Sequence, residues 1–332
     1  LLDKSVRDRL IADVPVGLFL SGGIDSSLLA YYCKKYSSDI KTFTIKMGNK
    51  SYDESDYAKE VAKHLKLPNY TLQLEQEDLL NALNSIENNL DEPLNDPSII
   101  PTYLVSRLAK SFVKVALSGD GADELFGGYA PFKFISMMQF MSIIPKSAGK
   151  ILYALTNELN YSDRYMGFSF LLKQVSKGFG FTANQQIFRW MSSFTENDIK
   201  KIFSNDFYRN HSSRNILDLI SKKYNIKELN LHDQILQMFF ENYLPNDILT
   251  KVDRASMYNS LEVRSPFLDK NVIEYSSSLR SNLKIKWKTK IILREISKNK
   301  LPRNIINRKK HGFAIPMANM LRSSLKDRVC DT

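Results

Sequence analysis

The first third of the chain alternates short apolar segments with segments of helical period. The apolar segments predict strands at 14–20, 40–47, 70–74 and 113–117. Helices are predicted from the turn after the first strand to Tyr36, then over 53–65, about 77–89 and about 98–111. Strands that alternate with helices indicate a parallel sheet covered on both faces. The predicted fold class is therefore α/β with a doubly wound parallel sheet, which binds ligands beyond the carboxyl ends of its strands.

After about Tyr129 the alternation stops, and long helix-like segments rich in Met and Phe follow. The sequence thus predicts an α/β core over about 1–130 and a mainly helical part over about 131–332 that completes the site. No Pro/Gly/Ser-rich linker separates the two parts. We therefore expect one continuous unit over 1–332.

Composition restricts the class of protein. Of 332 residues, 43% are hydrophobic and 25% are charged, which excludes a disordered or fibrous chain. No apolar run reaches the ~18 residues of a membrane span, so no membrane association is expected. Two cysteines, Cys33 and Cys330, cannot form a disulfide framework, and no signal peptide is expected before the first motif. A cytoplasmic location and a fragment of a longer protein are expected.

Positive charge is concentrated near the C-terminal end. The net charge is +11, and residues 281–310 contain eleven Lys or Arg side chains and one acid, Glu295. Such a basic window is typical of a solvated helix face, a polyphosphate pocket or a nucleic-acid surface. Interleaved Ile291, Ile292 and Ile296 favour a helix buried on one side with a solvated basic face. A nucleic-acid partner is therefore not expected.

The strongest motif follows the first predicted strand and reads SGGIDSS, Ser21–Ser27. Two glycines allow a tight turn, and a helix N-terminus with serine hydroxyls suits phosphate oxygens. Asp25 would repel a phosphate unless a cation lies between them, and Mg²⁺ would be a suitable cation. A plain capped strand–turn–helix needs fewer of these residues. The loop lacks the lysine of a Walker P-loop.

A second motif, LSGDGADELFGGY, covers Leu117–Tyr129 after the fourth predicted strand. It contains three acids within five residues, Asp120, Asp123 and Glu124. Counted from Gly119, the sixth position of a GxGxxG pattern is Glu124 rather than glycine, which argues against a dinucleotide fingerprint. The acids either cap the following turn, or supply one carboxylate to Mg²⁺ and another as general base.

Together the two motifs resemble a known family. SGGIDSS resembles the pyrophosphate-binding loop of the ATP-pyrophosphatase (PP-loop) superfamily, and with the second motif it resembles the synthetase domain of glutamine-dependent asparagine synthetases. Further stretches agree in family order: DEPLNDPS from Asp91, LTKVDRAS from Leu249, LEVRSPFLD from Leu261 and RKKHGFAIP from Arg308. Related members form β-lactams, cyclise peptides or amidate sugars. The resemblance implies an adenine nucleotide α-hydrolase-like fold, with ATP and Mg²⁺ as cofactors.

The resemblance also implies roles for individual residues. The backbone of Leu20 and of Ile45 would contact adenine, and Ser118 and Gly119 would lie along the ribose and α-phosphate. The pyrophosphate would be held by Ser21, Gly22, Gly23, Asp25, Ser26 and Ser27. Asp25 and Asp123 would share Mg²⁺. Asp120 stands where some members carry Glu and would manage the proton of ammonia, although its shorter side chain departs from that pattern.

Four further residues keep two interpretations each. The resemblance implies that Lys310 lies on a mobile loop and neutralises the α-phosphate, whereas the basic window favours a solvated side chain. Glu262 and Arg264 are candidates for the acceptor pocket or an internal ion pair. Asp96 is a candidate substrate residue or an N-cap.

The predicted function is an AMP-forming ligase that adenylates a carboxylate, most simply aspartate, and transfers ammonia to give asparagine. The alternatives are the same chemistry on a sugar acid, peptide or β-lactam precursor, or a tRNA-modifying PP-loop protein. In this family an N-terminal glutaminase domain with Cys at its start is expected in the full-length protein. Since 1–332 opens within the resemblance, ammonia rather than glutamine is the expected donor. A homodimer is left open.

Overall fold

A five-stranded parallel sheet forms the centre of the fold. The computed structural model describes residues 1–157, 165–192, 194–211 and 216–331. The strand order is β3-β2-β1-β4-β5. The strands are β1 Val16–Phe19, β2 Lys41–Met47, β3 Asn69–Leu74, β4 Val115–Leu117 and β5 Glu262–Arg264. The doubly wound parallel sheet predicted from the sequence is confirmed, and its first four strands lie within the predicted segments or one residue beyond them.

The fifth strand was not predicted. β5 pairs parallel to β4, with Leu117 opposite Arg264. It has only three residues, two of them charged, and it follows a helical segment. Three residues are too few to show the alternation of apolar and polar residues by which a strand is predicted from sequence. The expectation that strands end near residue 129 is therefore wrong at this position.

Helices cover both faces of the sheet. Leu18 and Leu117 belong to one hydrophobic core, whereas Phe43 and Ala116 belong to a second. Since successive strand residues point to opposite faces, these cores lie on opposite sides of the sheet. Helices of the first 129 residues are α1 Leu2–Arg9, α2 Ile24–Tyr36, α3 Ser55–Leu65, α4 Gln76–Glu87, α5 Ile99–Lys110 and α6 Ala122–Phe126.

The chain forms two compact units, Leu1–Tyr129 with Phe240–Thr332, and Ala130–Phe239. The second unit has a 3₁₀ helix, Ala130–Phe134, and the α-helices α7 Ile135–Met141, α8 Lys146–Asn157, α9 Phe168–Ser176, α10 Ala183–Met191, α11 Glu196–Ile202, α12 Asn205–His211, α13 Ile216–Tyr224 and α14 Leu231–Met238. Inside it, buried Gln186 donates to the carbonyls of Met138 and Phe181 at 2.7 and 2.8 Å.

The remaining helices belong to the unit of the sheet. A π-helix spans Phe239–Leu249 and a 3₁₀ helix Pro266–Leu268. The α-helices are α15 Thr250–Met257, α16 Lys270–Ser278, α17 Ser281–Lys284, α18 Ile291–Ser297, α19 Arg303–Asn307, α20 Met317–Arg322 and α21 Lys326–Asp331. Phe240–Thr332 therefore belong to the same compact unit as the sheet. Pairing of β5 with β4 is the physical reason. In the described part of the chain, no helix is long and apolar enough to cross a membrane.

Candidate active site

The carboxyl ends of β1, β2 and β4 border a cavity of about 310 Å³. The strand order reverses at β1, because β2 and β3 lie on one side of it and β4 and β5 lie on the other. Open α/β sheets bind ligands at such a reversal. Most predicted site residues line this cavity: Leu20, Ser21, Asp25, Ser26, Ile45, Asp96, Ser118, Gly119, Asp120, Asp123 and Lys310. The structure thus brings together residues that are far apart in sequence.

The loop between β1 and α2 is shaped by one glycine and two serines. Gly22 has φ +69°, and a Cβ there would lie 2.5 Å from the backbone of Tyr57 and Ala58. The Ser26 hydroxyl accepts from the Ser21 amide at 3.2 Å and lies 3.1 Å from the Ser21 hydroxyl. The loop therefore packs against α3 and closes on itself. It leaves the N-terminus of the 13-residue helix α2 at the cavity, where an anion is favoured.

The loop between β4 and α6 carries the second set of carboxylates. Gly121 has φ +87°, and a Cβ there would lie 2.3 Å from Leu268. The Ser118 hydroxyl donates to Asp120 Oδ2 at 2.6 Å. Burial raises the pKa of Asp120, and the hydrogen bond from Ser118 only partly offsets this. Asp120 therefore holds a proton more readily than a solvated aspartate.

Two carboxylates and two lysines form a compact charged cluster. Lys290 Nζ contacts Asp25 Oδ2 and lies 2.6 Å from Asp123 Oδ1, while Lys310 Nζ lies 2.7 Å from Asp123 Oδ2. Burial alone would raise the pKa of Asp123, but both ammonium groups outweigh it and lower the pKa to about 2. Burial would lower the pKa of Lys310, but Asp123 and Asp25 outweigh it and raise the pKa. Asp123 and Lys310 are therefore both charged at neutral pH.

Asp25 and Asp123 fit the magnesium role implied by the family resemblance. Asp25 Oδ1 is buried and has no hydrogen-bond partner among the described residues. In the same described residues, no group of three or more His, Cys, Asp or Glu is placed to hold a metal. Mg²⁺ is commonly bound by one or two carboxylates together with substrate phosphates and water. The donor set thus suits Mg²⁺ that arrives with a nucleotide.

Asp96 lies two residues before Ser98, the N-cap of helix α5, and also lines the cavity. Its Oδ1 accepts from the Ser98 amide at 2.9 Å before helix α5, as an N-terminal turn would require. Its Oδ2 lies 2.9 Å from Lys251 Nζ. Both Asp96 and Lys251 line the cavity, and the Lys251 side chain is only 10% exposed. Burial would raise the pKa of Asp96, but the pair with Lys251 and the hydrogen bonds from Ser98 lower it.

Glu262 and Arg264 do not line the cavity. Both lie on β5 and pair with each other, Arg264 Nε to Glu262 Oε1 at 2.6 Å. Arg264 also donates to the carbonyls of Arg9 and Ile11 at 2.9 Å. The two residues form an ion pair, as the second of their two interpretations expects, but Glu262 is exposed, so the pair lies at the surface. Of the remaining predicted residues, Gly22 and Ser27 do not line this cavity, and Gly23 lines a smaller one beside it.

The smaller cavity, of about 40 Å³, is bordered by five Lys or Arg residues among its twelve lining residues. Arg308 forms an ion pair with Glu54 at its edge. Burial raises the pKa of Glu54 to about 7 against the attraction of Arg308 and Lys310. Lys290, Arg294 and Lys310 also border this space.

The basic window is therefore not a uniformly solvated face. Lys284 and Lys290 are buried, while Lys286 and Lys288 are exposed. The expectation of a solvated face is wrong for its buried members. Sequence reasoning missed Lys290, Lys251 and the pair Glu54–Arg308. Lys251 lies inside the stretch LTKVDRAS, so the family resemblance could have identified it. Nothing in the sequence distinguishes Lys290 from its basic neighbours.

Comparison with known proteins agrees with this geometry. The family model described as asparagine synthase matches residues 1–332. Asparagine synthetase 1 (glutamine-hydrolyzing) of Bacillus subtilis is 35% identical over 98% of this chain and 50% of its own length. A Mycobacterium bovis protein provisionally named as a glutamine-hydrolyzing asparagine synthetase is 30% identical over 97% of this chain and 48% of its own length. A protein of Penicillium rubens named as an amidase is 27% identical over 94% of this chain and 51% of its own length. The chain spans about half the length of these curated relatives. It belongs to the asparagine synthase family.

Proposed function

We propose that this chain is an ATP-dependent, AMP-forming ligase that adenylates the side-chain carboxylate of aspartate and then transfers ammonia to give asparagine. The observation that carries the proposal is the charged cluster of Asp25, Asp123, Lys290 and Lys310, at the switch point of the sheet beside the SGGIDSS loop. Backbone suited to an anion, carboxylates suited to a metal and ammonium groups suited to phosphate meet at this cavity and the smaller one beside it, as transfer from a nucleoside triphosphate requires.

In the first step, an acceptor carboxylate oxygen attacks the α-phosphorus, and the bond from that phosphorus to the bridging oxygen breaks. The acyl-adenylate forms and pyrophosphate leaves. The SGGIDSS loop and the start of α2 hold the β- and γ-phosphates, and Lys310 meets the charge that develops on the α-phosphoryl group. Asp25 and Asp123 would hold Mg²⁺, which would supply positive charge to the leaving pyrophosphate.

In the second step, neutral ammonia attacks the acyl carbon, and AMP leaves as the amide forms. The nitrogen must lose a proton, and Asp120 is a half-buried carboxylate that lines the cavity. Its raised pKa favours acceptance of that proton. The ion pair of Lys251 with Asp96 lines the cavity as well. A lysine there suits the recognition of an acceptor that carries a carboxylate besides the one that reacts.

A second candidate is the same chemistry on another carboxylate, such as a sugar acid or a peptide. The Penicillium rubens relative supports this candidate, because it matches 94% of this chain and is named as an amidase rather than an asparagine synthetase. The relatives are also about twice as long and two of them are named as glutamine-hydrolyzing. We therefore propose that, in a full-length protein, a glutaminase domain supplies the ammonia.

The test is product analysis with ammonium, ATP and Mg²⁺ across a panel of carboxylates. The panel includes aspartate, glutamate, a uronic acid and a short acidic peptide. Aspartate-dependent formation of AMP, pyrophosphate and asparagine supports the proposal. The same products with another acid only would favour the second candidate. Formation of ADP and phosphate would overturn both, since neither route breaks the terminal phosphate bond alone.

A further inference from the structure

Lys290 is the most deeply buried cation of the site and has no part in the sequence predictions. Its side chain is 3% exposed, and the two carboxylates it contacts are 12% exposed each. A buried ammonium group is costly unless it is fully paired, and here it lies between Asp25 and Asp123. These are the same two carboxylates that fit a magnesium ion.

The backbone and its neighbours hold Lys290 in this position. Its φ is +54°, a left-handed conformation that is uncommon for a residue with a side chain and is enriched at functional sites. Arg294 donates to the carbonyl of Thr289 at 2.8 Å and to that of Arg308 at 3.1 Å, so it ties the two lysine-bearing segments together. Gly128 leaves room for the stem, since a Cβ there would lie 2.2 Å from Lys290 Cε.

The charges of the cluster balance before any ligand enters. Asp25 and Asp123 contribute two negative charges, and Lys290 and Lys310 contribute two positive charges. A divalent cation alone would add two uncompensated positive charges to a largely buried space, next to two ammonium groups. A divalent cation that arrives with nucleotide phosphates restores the balance and offers the ammonium groups new partners.

We propose that Lys290 is a resident cation that holds Asp25 and Asp123 in place of the metal until metal and nucleotide enter together. Its ammonium group then exchanges these carboxylates for phosphate oxygens. The enzyme consequently rejects free Mg²⁺ and keeps its metal carboxylates ordered while it waits for nucleotide. The inference rests on the proposed function for the identity of the metal and the nucleotide, and it assigns Lys290 as a positioning residue.

The test measures binding of Mn²⁺ alone, without nucleotide, by electron paramagnetic resonance. Wild-type protein should bind it weakly, and Lys290→Met should bind it at least about tenfold more tightly because a competing positive charge is gone. Lys288→Met is the matched control, since Lys288 is an exposed lysine of the same window, and it should behave as wild type. Unchanged or weaker binding of Mn²⁺ by Lys290→Met would overturn the proposal.

The variant remains informative if it does not fold in the absence of metal. In that case, recovery of the wild-type circular dichroism spectrum on addition of millimolar Mg²⁺ supports the proposal, because the metal then replaces the missing cation. Failure to recover overturns it. Binding of a non-hydrolysable ATP analogue to the wild-type protein with Mg²⁺ is measured separately. Absence of that binding would contradict the proposed function. The proposal for Lys290 would still be judged by the Mn²⁺ result.

Discussion

Replacement of Lys310 by alanine should slow acyl-adenylate formation far more than it weakens ATP binding. Lys310 Nζ lies 2.7 Å from Asp123 Oδ2, on the cavity side of the cluster. In the resting protein its charge is already partnered by that carboxylate. The charge that develops as pyrophosphate leaves is present only in the transition state, so the lost interaction is mainly a transition-state interaction.

The magnitude follows from distance and exposure. Two unit charges about 4 Å apart at an effective dielectric constant of about 20 interact by about 4 kcal/mol. The Lys310 side chain is 35% exposed, so water screens part of this. About 3 kcal/mol remains, which is the size of one oxyanion-hole donor and corresponds to a rate reduction of about 10²-fold.

The assay is single-turnover formation of AMP under saturating ATP, with ATP affinity measured separately by equilibrium binding. Lys310→Arg should recover part of the rate, because the positive charge is kept. Lys288→Ala is the control for a general effect of charge in the same window, since its side chain is exposed. Equal and small effects of Lys310→Ala and Lys288→Ala would refute the reasoning and return Lys310 to the solvated interpretation.

Four further outcomes are expected. Asp25→Asn and Asp123→Asn should each reduce pyrophosphate release by at least about 10²-fold at ordinary Mg²⁺, and near-normal release in either would refute the metal assignment. At fixed total ammonium the rate should rise with pH, because neutral ammonia is the nucleophile, and a flat profile from pH 7 to 9 would contradict this. Burial raises the pKa of Glu54 to about 7, so the folded chain binds this proton more tightly than the unfolded chain. Stability should therefore fall as pH rises from 4.5 to 7, and urea unfolding of Glu54→Gln should show a flatter dependence. Gly17→Ala should lower the free energy of unfolding by about 1–3 kcal/mol, because its Cβ would lie 2.5 Å from buried Phe43; an unchanged urea midpoint would show that the core yields.

Local patterns in the sequence were sufficient for the sheet and for its two ligand loops. β1 and β4 are short apolar runs followed at once by glycine and acidic residues, so strand and loop signals adjoin each other. Lys290 carries no such signal. It lies 265 residues from Asp25 in sequence. Only the tertiary fold brings the two side chains together. Its sequence neighbours Lys286 and Lys288 have the same charge and lie exposed. β5 escaped detection for a related reason, since three residues become a strand only because β4 offers a free edge.

The placement of the two site lysines has a consequence for how the protein matures during synthesis. Asp25 and Asp123 leave the ribosome with the strands that carry them, well before Lys290 and Lys310 are made. Until those lysines arrive, a nascent chain that packs its sheet must enclose two carboxylates without their partners, which opposes closure of the site. The site can thus become native only after both lysines have been made. A truncated chain that ends before residue 290 would carry that electrostatic cost permanently, which makes it a ready substrate for quality-control proteolysis.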